Sequence, residues 1–134
     1  MPHGATTVEP FWFSSTDPVP NRVLLFGTVA EVDASGFEAF DPSKLSELGY
    51  GRYPNVVSSV EFERILSATG PYRGVVLRPS DGDMPKKVAF LQCVGSRDAR
   101  VGNPYCSGVC CMYAIKEAVI AQEHNPGLEA SVFF

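Results

Sequence analysis

The chain has 134 residues and four cysteines, Cys93, Cys106, Cys110 and Cys111, all inside one stretch, CVGSRDARVGNPYCSGVCC. Four thiolates close together are the donor set of soft-metal chemistry, either zinc or an iron–sulfur cluster. Redox thiols, disulfides and four buried, inert thiols are the other readings. Disulfide staples in secreted chains join distant loops, whereas these cysteines are local. A disulfide between the neighbours Cys110 and Cys111 would be strained, and there is no C-x-x-C motif. A single zinc ion, with Zn–S near 2.3 Å, needs its sulfurs roughly 3.8 Å apart. Adjacent residues on a helix point about 100° apart, and zinc pairs of the C-x2–4-C kind are not cleanly present. A cubane cluster offers separate iron corners, so the spacing favours it while the other readings stay open.

The elements around the cysteines set where they stand. KKVAFLQC, ending at Cys93, is nearly all apolar between Val88 and Leu91, as expected of a strand buried on both faces. A helix is expected over Gly108–His124, capped by Ser107 and stopped by Asn125-Pro126-Gly127, with Met112, Ile115, Ala118 and Val119 as its apolar side. LEASVFF is a second β run. Strand, helix and strand make a βαβ unit with parallel strands and a right-handed crossover. The cysteine loop then sits where dinucleotide folds place a phosphate-binding turn. No G-x-G-x-x-G is present, and Gly95, Gly102 and Gly108 lack that spacing. The helix N-terminus favours thiolates there.

Upstream, SSVEFERILSATG is expected to be a helix. Ser58 and Glu61 have capping-box spacing, Gly70 suits the C-terminal cap, and Val60, Phe62, Ile65 and Leu66 form its apolar face. Val75–Leu77 reads as a strand, linked to Val88–Leu91 through an Asp81-Gly82 turn. RVLLFGTVAEV (22–32) reads as a strand or hairpin, residues 34–55 as a long connection, and residues 1 to about 20, with four prolines and FWF, as an irregular arm.

The composition, 45% hydrophobic and 19% charged, is that of one globular domain. A net charge of −4 argues against nucleic-acid binding. No apolar run is long enough for a membrane span, and the first residues lack the features of a signal peptide, so a cytoplasmic location is expected. Arg97 and Asp98 are expected to fix the cysteine loop as an ion pair or to tune a cluster. Lys86-Lys87 either solvates a strand start or guides an acidic redox partner. Tyr105 and Tyr113 shield a cluster or pack in the core, and Arg52 and Tyr53 are candidates for flavin or domain contacts. His124 suits a helix C-terminus; with His3 the only other histidine, a Cys–His nucleophile is weakly supported.

Three segments, GYGRYPNVVSSVEFERILSATGP, RPSDGDMPKKVAFLQCVGSRD and NPYCSGVCCMYAIKEAVIAQEHNP, resemble HdrA, the iron–sulfur flavoprotein of the heterodisulfide reductases of methanogens and many anaerobic bacteria. The likeness covers roughly Gly27–Phe134 and is nearly continuous from Gly49. It implies an α/β fold, an incomplete Rossmann-like parallel sheet of the thioredoxin-reductase-like, FAD/NAD(P)-binding kind. Residues 1–26 would be an unmatched arm, 27–134 a partial flavoprotein region, and 87–134 the βαβ unit with the iron–sulfur site. By resemblance, Cys93, Cys106, Cys110 and Cys111 would hold a [4Fe–4S] cluster. It also implies an oxidoreductase that relays electrons between FAD and clusters in flavin-based bifurcation, ending on ferredoxin and a disulfide such as that of coenzymes M and B. The implied partners are other heterodisulfide reductase-type subunits, hydrogenase or formate dehydrogenase subunits, and ferredoxin. Family members run to several hundred residues. The glycine-rich FAD loop and the ferredoxin-like cluster motifs are absent from this sequence, so catalysis is expected of the full-length protein or its complex and not of this chain alone. A zinc-bound interaction domain and a non-functional truncated fragment are the alternatives.

Overall fold

A computed structural model describes the backbone of residues 22–26, 31–33 and 36–134, and the side chains of residues 39–134. The expected proline-rich arm, FWF and His3 lie outside the described residues. The elements in chain order are β1 (Arg22–Phe26), β2 (Glu31–Asp33), β3 (Gly36–Glu38), β4 (Val56–Ser58), α1 (Ser59–Leu66), β5 (Lys87–Leu91), α2 (Cys110–His124) and β6 (Glu129–Phe133). β1, β4, β5 and β6 form a parallel sheet in the order β4-β1-β5-β6, and β2 and β3 form a separate antiparallel pair. The segment read as a strand or hairpin thus divides: β1 joins the parallel sheet and β2 turns back on β3. No helix among the described residues is long and apolar enough to cross a membrane.

β5 is the centre of the packing. Val88 and Phe90 face one core cluster, with Phe62, Ile65, Leu66, Val76, Ala114, Ala121 and Leu128. Ala89 faces the other, with Phe40, Leu45, Val56 and Val94. Both faces are covered, which is why the strand is continuously apolar. Phe62 and Phe90 meet edge to face, with centroids 5.9 Å apart and an interplanar angle of 80°. Burying a ring of that size contributes roughly 1.5–3 kcal/mol. The strand order explains the two layers. The β4–β5 and β5–β6 connections step the same way along the sheet, and their helices pack on one face. The β1–β4 connection steps the other way, and its 40–50 stretch, with turns of 3₁₀ helix at Pro42–Lys44 and Ser46–Leu48, covers the opposite face.

α1 begins on the expected capping box: the Glu61 amide donates to Ser58 Oγ at 3.3 Å, and the Ser58 amide donates to Glu61 Oε2 at 2.7 Å. The helix ends one turn before Gly70, at a cap on Ser67, and Val60 is exposed, so the packed face is Ser59, Phe62, Ile65 and Leu66. Val75–Leu77 is not a strand. Its flanking amides are used locally, Val75 N–H to Tyr72 O at 3.0 Å and Arg78 N–H to Asp83 O at 2.8 Å. Val76 is apolar because it is fully buried in the helix-side core.

The largest departure is in α2. The helix starts at Cys110 behind Val109, which makes no side-chain cap; Ser107 does not cap it. Its buried residues are Cys110, Ala114, Glu117 and Ala121. Met112, Ile115 and Val119 are 71%, 60% and 50% exposed. α2 carries apolar residues on two faces, so hydropathy alone does not choose between them. The alanine face packs on the sheet because small side chains let the helix backbone approach closely.

Candidate functional site

The cysteine loop leaves the carboxyl end of β5. The Gln92 amide extends the β5–β6 pairing by donating to Phe133 O at 2.8 Å. The chain then turns sharply: Cys93 has φ +60 and Gly95 φ +73. Glycine is required at 95, because a Cβ there would collide with the buried Phe40 ring. Beyond it the chain makes a small hairpin. Arg97 N–H donates to Tyr105 O at 2.8 Å, and Asp98 and Asn103 exchange amide–carbonyl bonds of 2.8 and 3.1 Å. Asp98 also accepts the Arg100 amide at 2.9 Å, and Asn103 Nδ2 donates to Gly95 O at 2.9 Å.

Ser96 ties the loop together. This buried side chain donates from Oγ to Tyr105 O at 3.3 Å and accepts from the Ser107 amide at 3.2 Å, gripping both sides of Cys106. Its own amide donates to Cys93 O at 3.2 Å. One residue therefore joins the two cysteines that flank the hairpin. Sequence reasoning missed Ser96; the signal is its place in VGSRD, between a left-handed glycine and the hairpin it closes.

Cys110 is buried, Cys93 is partly covered, and Cys106 and Cys111 are exposed; all four are free thiols. Cys106 Sγ accepts from the Gly108 amide at 3.4 Å, and Cys93 Sγ accepts from Arg97 Nη1 at 3.8 Å. The Cys111 thiol is pushed up from its ordinary range, first by partial desolvation, then by Cys110, and further by Cys93 and Cys106. All four sulfurs thus share one electrostatic neighbourhood at the head of α2. Among the described residues, no three Cys, His, Asp or Glu side chains are arranged to hold a metal ion.

The expected Arg97–Asp98 pair does not form. Asp98 pairs with Arg100 at 2.6 Å, its carboxyl held below the usual range first by that side-chain hydrogen bond. Arg97 turns to Cys93 instead. Lys87 pairs with Glu129 at 2.7 Å, tying the starts of β5 and β6 together. Tyr105 is largely exposed, and its hydroxyl donates to Asn103 Oδ1 at 3.2 Å. Tyr113 OH accepts from Ser59 Oγ at 3.4 Å, between α2 and α1. His124 Nδ1 lies 2.7 Å from Gly74 O, a structural contact. Arg52 stacks on Tyr53 at 5.2 Å, at an open cavity of about 1150 Å³ also lined by Tyr50, Arg64, Ile65 and Tyr72. No cysteine lines that cavity.

The chain is 48% identical over 119 residues to the HdrA protein of the H(2):CoB-CoM heterodisulfide,ferredoxin reductase of Methanothermobacter marburgensis, a match covering 88% of this chain and 18% of that protein. It is 50% identical over 105 residues to the second of two HdrA iron-sulfur proteins of the CoB--CoM heterodisulfide reductase of Methanopyrus kandleri, covering 78% of this chain and 16% of that protein. The chain is homologous to one segment of HdrA. A third HdrA, that of the H(2)/formate:CoB-CoM heterodisulfide,ferredoxin reductase of Methanococcus maripaludis, is 47% identical over 108 residues, covering 81% of this chain and 16% of that protein. The chain spans less than a fifth of the length of these HdrA relatives. No protein-family model matches it.

Proposed function

We propose that this chain carries the iron–sulfur site of an HdrA-type oxidoreductase of the heterodisulfide reductase family, with Cys93, Cys106, Cys110 and Cys111 as ligands of one [4Fe–4S] cluster. The observation that carries the reading is the shared neighbourhood of all four thiols. Each of the other three raises the cost of ionising Cys111. Four thiolates repel one another unless a cationic centre lies among them, and such a centre removes their protons as it binds. The donor set fits the group: the sulfurs are soft, and their spacing is not that of ligands around one ion. A bound cluster accepts and releases single electrons.

The chain's own residues hold that site. Ser96 fixes Cys93 and Cys106, and the first turn of α2 presents Cys110 and Cys111 with uncapped amides towards the anionic sulfurs. The strand order supports a Rossmann-like reading of the sheet. It reverses at β1, and the loop leaves β5 at that point, where open α/β sheets place their ligands. In this reading residues 27–134 are the HdrA-like region and 87–134 its cluster-bearing unit. FAD does not fit this chain alone: no residues form a glycine-rich pyrophosphate loop. Electron exchange with flavin, ferredoxin, hydrogenase, formate dehydrogenase or other reductase subunits belongs to the larger assembly. Four free thiols suit the reducing cytoplasm.

The test is anaerobic reconstitution with iron and sulfide. The expected result is about four irons and four sulfides per chain, with broad visible absorption. Cys110→Ser and Cys111→Ser should each lose most of that iron. Protein that takes up no iron and sulfide, or one zinc in their place, overturns the reading.

A further inference from the structure

We infer that Arg97 sets the reduction potential of the centre held by the four cysteines, acting as a cation on the Cys93 sulfur; this rests on the cluster reading above. Three observations converge. The Arg97 guanidinium donates from Nη1 to Cys93 Sγ at 3.8 Å. Among the described residues no carboxylate pairs with it, because the adjacent Asp98 is taken up by Arg100 through Nε and Nη2. The charge of Arg97 therefore acts on the sulfur without being neutralised nearby. Finally, Arg97 has φ +54, a left-handed conformation that arginine adopts less readily than glycine or asparagine. The hairpin bond from its amide to Tyr105 O holds it there, and this backbone turn sends the side chain back over Cys93.

The physical consequence has one sign. Reduction adds a negative charge to a centre whose ligands are already anionic. A fixed cation beside a ligand sulfur stabilises the reduced state more than the oxidised one and raises the potential. Arg97 is thus a tuning residue, and a purely structural role would leave the potential unchanged.

The experiment compares the reconstituted full chain with Arg97→Gln and Arg97→Lys, by iron and sulfide content and by potential titration followed in the visible and EPR spectra. Arg97→Gln is expected to load fully and to shift the midpoint negative. At a fixed potential the reduced-to-oxidised ratio should fall roughly three- to tenfold, about 30 to 59 mV for one electron. Arg97→Lys, which keeps the charge, should retain most of the native potential. An unchanged potential in fully loaded Arg97→Gln overturns the inference and leaves the cluster reading intact. If Arg97→Gln fails to load, loading by Arg97→Lys supports the need for charge, and its failure overturns it. Wild-type chain without iron and sulfide overturns the cluster reading and this inference with it.

Discussion

Glu117 is the residue where burial and charge oppose each other most strongly. It is 1% exposed, and neither carboxylate oxygen has a hydrogen-bond partner. Its pKa is pushed up to about 8, first by desolvation and then by Glu63 across the helix pair, with Lys116 acting the other way. Lys116 is itself engaged by Glu63 at 2.7 Å. The carboxyl is therefore neutral in the folded chain at pH 7, and ionised in the unfolded chain above its ordinary value of 4.5. The folded state binds the extra proton, so stability falls as pH rises from about 4.5 to about 8 and is then level. The loss is on the order of 4 kcal/mol. Glu117→Gln should remove this slope. It should match wild type near pH 4 and exceed it by about 2–4 kcal/mol at pH 9, measured by denaturant unfolding across the range. A parallel slope in both proteins would show that Glu117 is not the titrating group.

At the scale of elements, the site depends on a loop that is held by side chains and has little regular structure. Ser96 makes the two contacts that bracket Cys106 and is almost fully buried. Ser96→Ala leaves the Tyr105 carbonyl and the Ser107 amide short of a partner, at a cost of about 1–3 kcal/mol. The expected outcome is a chain with near-native secondary structure by circular dichroism whose reconstituted iron is lost several-fold faster to a chelator. Equal loss rates would remove Ser96 from the site. This clamp reaches from Ser96 to partners 9 and 11 positions along the chain, too far for local propensity to indicate. The capping box of α1 spans only three residues and was legible directly from Ser58 and Glu61. β5 was legible for a similar reason: a run buried on both faces needs no alternation to interpret.

For the whole molecule, the remaining question is which surfaces face water. Met112, Ile115 and Val119 form an exposed apolar stripe on α2, and Val132, Phe133 and Phe134 are exposed on and just after β6, at the edge of the sheet. An edge strand that ends in uncharged residues, next to an apolar helix face, lowers solubility. Ile115→Glu should raise the solubility limit and change unfolding stability by no more than about 0.5 kcal/mol, as surface substitutions do. A large destabilisation would mean that Ile115 packs in the core after all.

The sequence by itself determined the chemistry on offer. Four thiols in nineteen positions, a two-faced strand before them and a helix after them follow from residue types and near-neighbour spacing. The tertiary structure decided how those parts meet. It selected the alanine face of α2 over its larger apolar face, put Glu117 in the core, gave Asp98 to Arg100 and turned Arg97 towards Cys93. Each of these choices depends on close packing or on a competition for partners. Such outcomes are set by distances between groups that the chain brings together only after folding, and hydropathy and spacing along the sequence do not contain them.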